Sequence, residues 1–163
     1  MTDDTLQHTH LNGIADYIAA LDTLCSLARR DLYLFEKDFD GLGFNGEPRV
    51  ETLRRFLLAN PASRLLMLAH DTHYLTTRCP RMVMLLRQFD NRMHIRQSAK
   101  NMLHITEPFC VTDDTHYVRR FHFDDPRGIL AKNDPVNARL LQSRYMEMWA
   151  HTHADISTTT LGL

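Results

Sequence analysis

His104–Phe123 reads HITEPFCVTDDTHYVRRFHF, and this stretch decides the fold. Apolar and β-branched residues on both sides of Asp113-Asp114 predict a strand, a tight turn and a returning strand. The stretch also gathers one histidine, His104, two carboxylates, Asp113 and Asp114, and two adjacent arginines, Arg119 and Arg120. A phosphate site uses these residue types: histidine as nucleophile or base, a carboxylate to orient it, cations to hold the phosphoryl oxygens. His104 and the aspartates lie at opposite ends of one strand segment, so only the fold could join them. Arg119 and Arg120 point to opposite faces of a strand, so one of them at most serves a given site. Arg127, in the polar loop DDPRG at Asp124 to Gly128, offers a second guanidinium.

Upstream, helices and strands alternate. Ile14, Tyr17, Ile18, Leu21, Leu24, Cys25 and Ala28 recur at helical spacing, which predicts a helix over Gly13 to Arg30. Asp31 to Lys37 reads as a strand. A glycine-rich loop, FDGLGFNGEP, leads to a helix with Pro48 in its first turn, ending at Asn60-Pro61. Arg64 to Ala69 (RLLMLA) is a short apolar run, the mark of a strand covered on both faces. Asp71 or Thr72 can cap a helical turn, Pro80 starts a further helix, and Met93 to Gln97 is another short strand. Asp134-Pro135 opens a last helix that carries Leu141, Tyr145, Met148 and Trp149 on one stripe. The expected fold class is therefore α/β, a mixed sheet flanked by helices. One domain is expected over residues 13–154, between polar flexible tails at 1–12 and 155–163.

Composition narrows the function classes. Hydrophobic content is 44% and charged content 24%, ordinary for a globular protein, and no apolar run approaches the length of a membrane span. The opening MTDDTLQHTHLNG is polar and acidic, unlike a secretion leader. Three cysteines, Cys25, Cys79 and Cys110, lack metal-ligand spacing and read as reduced core thiols, so a cytoplasmic location is expected. A net charge of −1 does not support dedicated nucleic-acid binding. Of the 19 basic residues only Lys37, Lys100 and Lys132 are lysines; arginine suits bidentate phosphate recognition, although a GC-rich genome gives the same bias.

The element order and the hairpin together resemble one half of the phospholipase D-like superfamily over the final two-thirds of the chain. Members carry an H-x-K-x4-D motif on a strand-turn-strand and close with an apolar, aromatic helix. His104 resembles the motif histidine, FCVTDD the strand that leads to its aspartate, and ARLLQSRYMEMW the closing helix. The chain is also similar to an uncharacterised bacterial domain sometimes appended to GNAT-type acetyltransferases, although nothing in it resembles an acetyl-CoA site. The departures are specific. Counting from His104, the lysine position is Thr106 and the aspartate position Val111, with Asp113 and Asp114 two and three residues later. The resemblance implies a histidine that attacks phosphorus and a lysine that neutralises phosphate charge. It also implies two motifs meeting about a pseudo-twofold axis, so a chain with one motif would need a homodimer.

Other clusters are weaker. His70, Asp71 and His73 follow an apolar strand, at the carboxyl edge where α/β folds bind ligands, and are secondary ligand-binding candidates. The pairs His8/His10 and His151/His153 lie near the chain ends and do not supply three or four converging ligands, so no metal is expected, and no cofactor either. GLGFNG matches neither the dinucleotide nor the phosphate-loop pattern, no G-x-S-x-G elbow occurs, and Cys110 sits on an apolar strand. The favoured reading is a non-catalytic, phospholipase D-like module that binds a phosphate-bearing ligand or a protein partner. His104, Asp113, Asp114, Arg119, Arg120 and Arg127 are its candidate contacts. The alternative is a homodimeric phosphodiesterase, of nuclease or phospholipase type, with His104 catalytic and Arg119 or Arg120 in place of the lysine.

Overall fold

The structure, a computed structural model, describes residues 5–158. Seven strands and five α-helices follow in the order β1 (Gln7–Leu11), α1 (Ile14–Leu27), β2 (Asp31–Glu36), α2 (Glu47–Ala59), β3 (Arg64–Ala69), α3 (His73–Arg78), α4 (Pro80–Gln88), β4 (Met93–Gln97), β5 (Phe109–Thr112), β6 (His116–His122), β7 (Asp125–Lys132) and α5 (Pro135–Ala150). A short 3-10 turn, Lys100–Met102, precedes β5. The strands form one mixed sheet in the order β1-β7-β6-β5-β2-β3-β4. β2, β3 and β4 run parallel, and β5, β6, β7 and β1 continue the sheet antiparallel from β2. This is the mixed, helix-flanked α/β sheet that the sequence predicts.

Alternation along the strands builds two cores. Leu32 and Leu34 of β2, with Leu65 and Met67 of β3, pack beneath α1, α2 and α4 through Leu21, Leu24, Leu53, Leu57 and Leu85. Tyr33, Phe35, Leu66 and Leu68 face the other way, against Tyr145, Met148 and Trp149 of α5. The Tyr33 and Tyr145 rings stack at 5.2 Å, and Tyr145 lies 5.9 Å from Trp149. The last helix starts as its sequence requires: the Asp134 side chain accepts from the Asn137 N–H, and Pro135 takes the first turn. Cys25, Cys79 and Cys110 are buried and unpaired. Burial pushes the Cys25 and Cys79 thiols up to about 11 and Cys110 well above its ordinary value. No helix among the described residues is long and apolar enough to cross a membrane.

Four expectations are corrected. The first helix stops at Leu27 rather than Arg30, because the Arg29, Arg30 and Asp31 N–H groups donate to the Asp113 carboxylate. The strand expected from His104 begins only at Phe109; Pro108 has no N–H to donate, though its carbonyl still accepts from the Arg120 N–H at 3.0 Å. The loop expected at Asp124 to Gly128 largely belongs to β7, with a register irregularity between Arg120 and His122. Gly128 is required there, since a Cβ would lie 2.0 Å from the Arg119 carbonyl oxygen. Finally, the tail expected over residues 1–12 contains edge strand β1, paired antiparallel with β7 from Gln7↔Lys132 to Leu11↔Gly128. At the other end Asp155 and Ile156 bond to β4, Ile156 N–H donating to Ile95 O at 2.8 Å. The outer parts of both expected tails, residues 1–4 and 159–163, lie outside the described residues.

Candidate functional site

The residues singled out in the sequence are divided between the two ends of the sheet. Asp113 and Asp114 form the two-residue turn between β5 and β6, with φ of 55° and 50° and a Thr115 N–H donating to Thr112 O at 3.0 Å. Positive φ at both positions is the geometry that matches the twist of a tight hairpin, and aspartate tolerates it. Asp113 faces inward: Oδ1 accepts from Arg30 N–H (2.8 Å) and Asp31 N–H (2.9 Å), Oδ2 from Arg29 N–H (2.9 Å). Asp114 pairs with Arg139 at 3.5 Å. The four residues of β5, rising about 3.4 Å each, separate this turn from the segment that carries His104. The aspartates therefore do not meet His104.

At the carboxyl end of β2, on the α1 face, lies a buried polar triad. Glu36 continues the inward alternation of Leu32 and Leu34 and is only 2% exposed. Its Oε1 accepts from Arg120 Nη2 at 2.9 Å and its Oε2 from the Tyr17 hydroxyl. Arg120, 7% exposed, also donates through Nη1 to Phe123 O at 3.0 Å and lies 4.5 Å over the Tyr17 ring. Its Nε has no hydrogen-bond partner among the described residues. Burial pushes the Glu36 carboxyl up to about 7, against the pull of Arg120 and Tyr17. Burial, reinforced by Glu36, raises the Tyr17 phenol well above its ordinary value.

His70 lies at the same end on the α5 face. Its Nε2 is 2.6 Å from Ile105 O and its Nδ1 2.8 Å from Ser98 Oγ. A carbonyl only accepts, so the neutral ring carries its proton on Nε2 and takes the Ser98 hydroxyl at Nδ1. Burial lowers the His70 pKa, the Ile105 bond opposes that, and nearby His104 lowers it further. Phe35 and Phe123 pack edge-on against the ring at 5.1 and 5.4 Å. His104 is exposed beside this cluster. Asp71 caps the start of α3, accepting from the His73 N–H at 2.8 Å, and His73 is exposed. Arg119 sits opposite Phe109 on the α5 face, half-buried and without an ion pair among the described residues. Exposed Arg127 forks onto Asp125, 2.8 Å from Nη2 to Oδ2.

The fold thus brings His70 and His104 together, sets Arg120 behind them in a closed pair, and leaves Asp113, Asp114 and Arg127 elsewhere. Sequence reasoning missed Tyr17, Glu36 and Ser98. A glutamate in phase with Leu32 and Leu34 is a legible signal for a buried carboxylate; the partners of Glu36, 19 and 84 residues away, carry none. No group of three or more His, Cys, Asp or Glu that could hold a metal ion occurs among the described residues.

The tight hairpin offers a second way to count the H-x-K-x4-D spacing on this chain. Counting back from the turn residue Asp113, the histidine position of H-x-K-x4-D is Thr106 and the lysine position is Pro108. Neither this register nor the one from His104 contains the lysine. The sequence model described as "Domain of unknown function (DUF7931)" matches residues 14–161. The chain belongs to that family. No curated protein matches this DUF7931 domain in sequence. Solved structures do match it in fold. TrmBL2, described as an archaeal chromatin protein with a novel mode of DNA binding, superposes with a TM-score of 0.68 at 10% identity, over 90% of this chain and 54% of that one. Nuc from Salmonella typhimurium, a phospholipase D family member, gives 0.66 at 8% identity, over 93% and 97%. Phosphatidylserine synthase from Haemophilus influenzae gives 0.60 at 14% identity, over 98% and 42%. The domain spans nearly all of Nuc but only about half of TrmBL2 and less of the synthase. Its fold is phospholipase D-like.

Proposed function

We propose that this DUF7931 domain is a non-catalytic, phospholipase D-like module that binds a phosphate-bearing ligand. One observation carries the first half of the reading. Neither register supplies the lysine, and of the two arginines that could replace it, Arg120 bonds through its backbone to Pro108 but turns its side chain to the α1 face, away from His70 and His104. Its guanidinium is held by Glu36, 2.9 Å away, and at 7% exposure it is closed off from a phosphate in solvent. Phosphoryl transfer needs preorganised cations on the developing oxyanions, and loss of one such donor costs about 10²–10³ in rate. Purified protein is expected to hydrolyse a generic phosphodiester, a phospholipid and single-stranded DNA no faster than a His104→Ala control.

The alternative, a phosphodiesterase, is favoured by one feature: His104 stands exposed beside His70. It needs a twofold partner to supply the second half of a site, and closed twofold dimers are the commonest assembly. Turnover that disappears in His104→Ala would establish it, and a monomer by light scattering at high concentration would remove it. Three buried, unpaired thiols support residence in a reducing compartment, the cytoplasm. The similarity to a domain appended to GNAT-type acetyltransferases suggests a module that works beside a catalytic partner.

A further inference from the structure

At the amino end of the central strands, opposite the end that carries His70 and His104, the α1–β2 connection and the β5–β6 turn enclose an open groove of about 1140 Å³. Arg29, Lys132, His116, Asn60, Thr23 and Ser26 line it. We propose that this groove binds the phosphorylated end of a small polyol, an assignment that rests on the phosphate-binding reading above.

The charges favour an anion. The Arg29 and Lys132 side chains make no hydrogen bond or ion pair among the described residues, whereas neighbouring Arg30 is tied to Asp31 at 3.1 Å and Arg139 to Asp114 at 3.5 Å. Among the described residues Asp113 is the one carboxylate in the lining. Its oxygens take three backbone N–H groups, which offset its charge and fix the groove wall. Two uncommitted cations on a rigid support suit a phosphate.

The neutral groups favour a polyol. His116 Nδ1 accepts from the Asn133 N–H at 3.0 Å, so the neutral ring keeps its proton on Nε2 and offers a donor. Burial lowers the pKa of this ring, with Asp113 and Lys132 acting in opposite senses, which keeps it neutral near pH 7. Thr23 and Ser26 add hydroxyls, and Asn60 braces the Arg29 carbonyl through Nδ2 at 3.3 Å. Apart from His116 the described lining residues include no aromatic ring, so they offer a nucleobase no stacking platform. The volume is ample for a small phosphorylated ligand. The polyol phosphate can be free or a lipid headgroup, and the two sources separate by experiment.

Calorimetric titration with glycerol 3-phosphate, with glycerol as comparator, tests the free ligand. Cosedimentation with phosphatidylcholine vesicles, with and without phosphatidylglycerol, tests the lipid. Binding is expected for glycerol 3-phosphate or for the phosphatidylglycerol vesicles, and not for glycerol. Arg29→Ala and Lys132→Ala should each weaken it about tenfold or more. Both substitutions keep the backbone N–H groups that Asp113 and β1 use, so thermal melts should match wild type. Arg87→Ala, on the far helix α4, should bind as wild type does. An equal loss in Arg87→Ala would mean general charge attraction and overturn the groove. Unchanged binding in both groove variants, with a loss in Arg119→Ala, would also overturn the groove but leave the phosphate-binding reading intact. No binding to either phosphate probe would overturn both.

Discussion

Glu36 is a residue whose protonation bears directly on stability. In the unfolded chain its carboxyl titrates near the ordinary 4.5, and in the folded protein burial pushes it up to about 7. The folded state therefore holds a proton that the unfolded state releases. The Glu36 contribution is fully present below about pH 4.5 and is lost as pH rises through about 7, a change of up to about 3 kcal/mol. His70 acts in the opposite sense: its lowered pKa stabilises the fold above about 6.5 and fails as pH falls through the lowered value. Denaturant melts of wild type and Glu36→Gln across this range isolate the glutamate, because His70 is common to both. The stability of wild type relative to Glu36→Gln should fall with rising pH and level off above about 8; a difference independent of pH would show that Arg120 keeps Glu36 ionised throughout. Asp113 is the second residue to probe. Asp113→Ala removes the acceptor of three N–H groups and puts alanine at a φ of 55°, and should cost about 2–4 kcal/mol. Asp113→Asn, which keeps one acceptor oxygen and tolerates the turn, should cost less.

Among the elements, those whose environment repeats along the chain were legible in the sequence. β3 is a continuous apolar run because helices cover both its faces, and its limits in the structure, Arg64–Ala69, are those the sequence predicts. Pro48, Pro80 and Pro135 mark helix starts because the first turn of a helix needs no N–H from them. β7 was not legible: Asp125-Pro126-Arg127-Gly128 has turn composition, yet Gly128 is there to let the β6 backbone approach. Gly128→Ala should therefore cost more than about 2 kcal/mol in a denaturant melt, well beyond the usual effect of glycine to alanine. Leu66→Ala and Leu68→Ala, beneath α5, should each cost about 2–5 kcal/mol; a loss near zero would mean that α5 does not seal that face. Of the candidate site, the residue types were legible but not their association. His104 and Asp113 sit in one motif-like stretch and end up at opposite ends of the sheet, because the whole of β5 runs between them.

At the scale of the whole molecule, one edge of the open sheet is built by pairing its first strand with its last. β1 covers the outer edge of β7, Leu11 is buried, and His8 Nε2 lies 3.0 Å from Asp134 Oδ2, the carboxylate that caps α5. Removing residues 5–11 should bare the β7 edge, lower the melting temperature and give concentration-dependent self-association by light scattering. An unchanged melt would mean that the edge strand is dispensable. Because β1 pairs with β7, more than a hundred residues later, it leaves the ribosome long before that partner exists. At about 5–20 residues per second that delay is roughly 6–25 s. The residues that fill it, Gln7, His8, Thr9 and His10, are polar ones that gain little by sticking to another exposed strand. The feature that hid β1 from the sequence is thus also what protects the nascent chain while it waits.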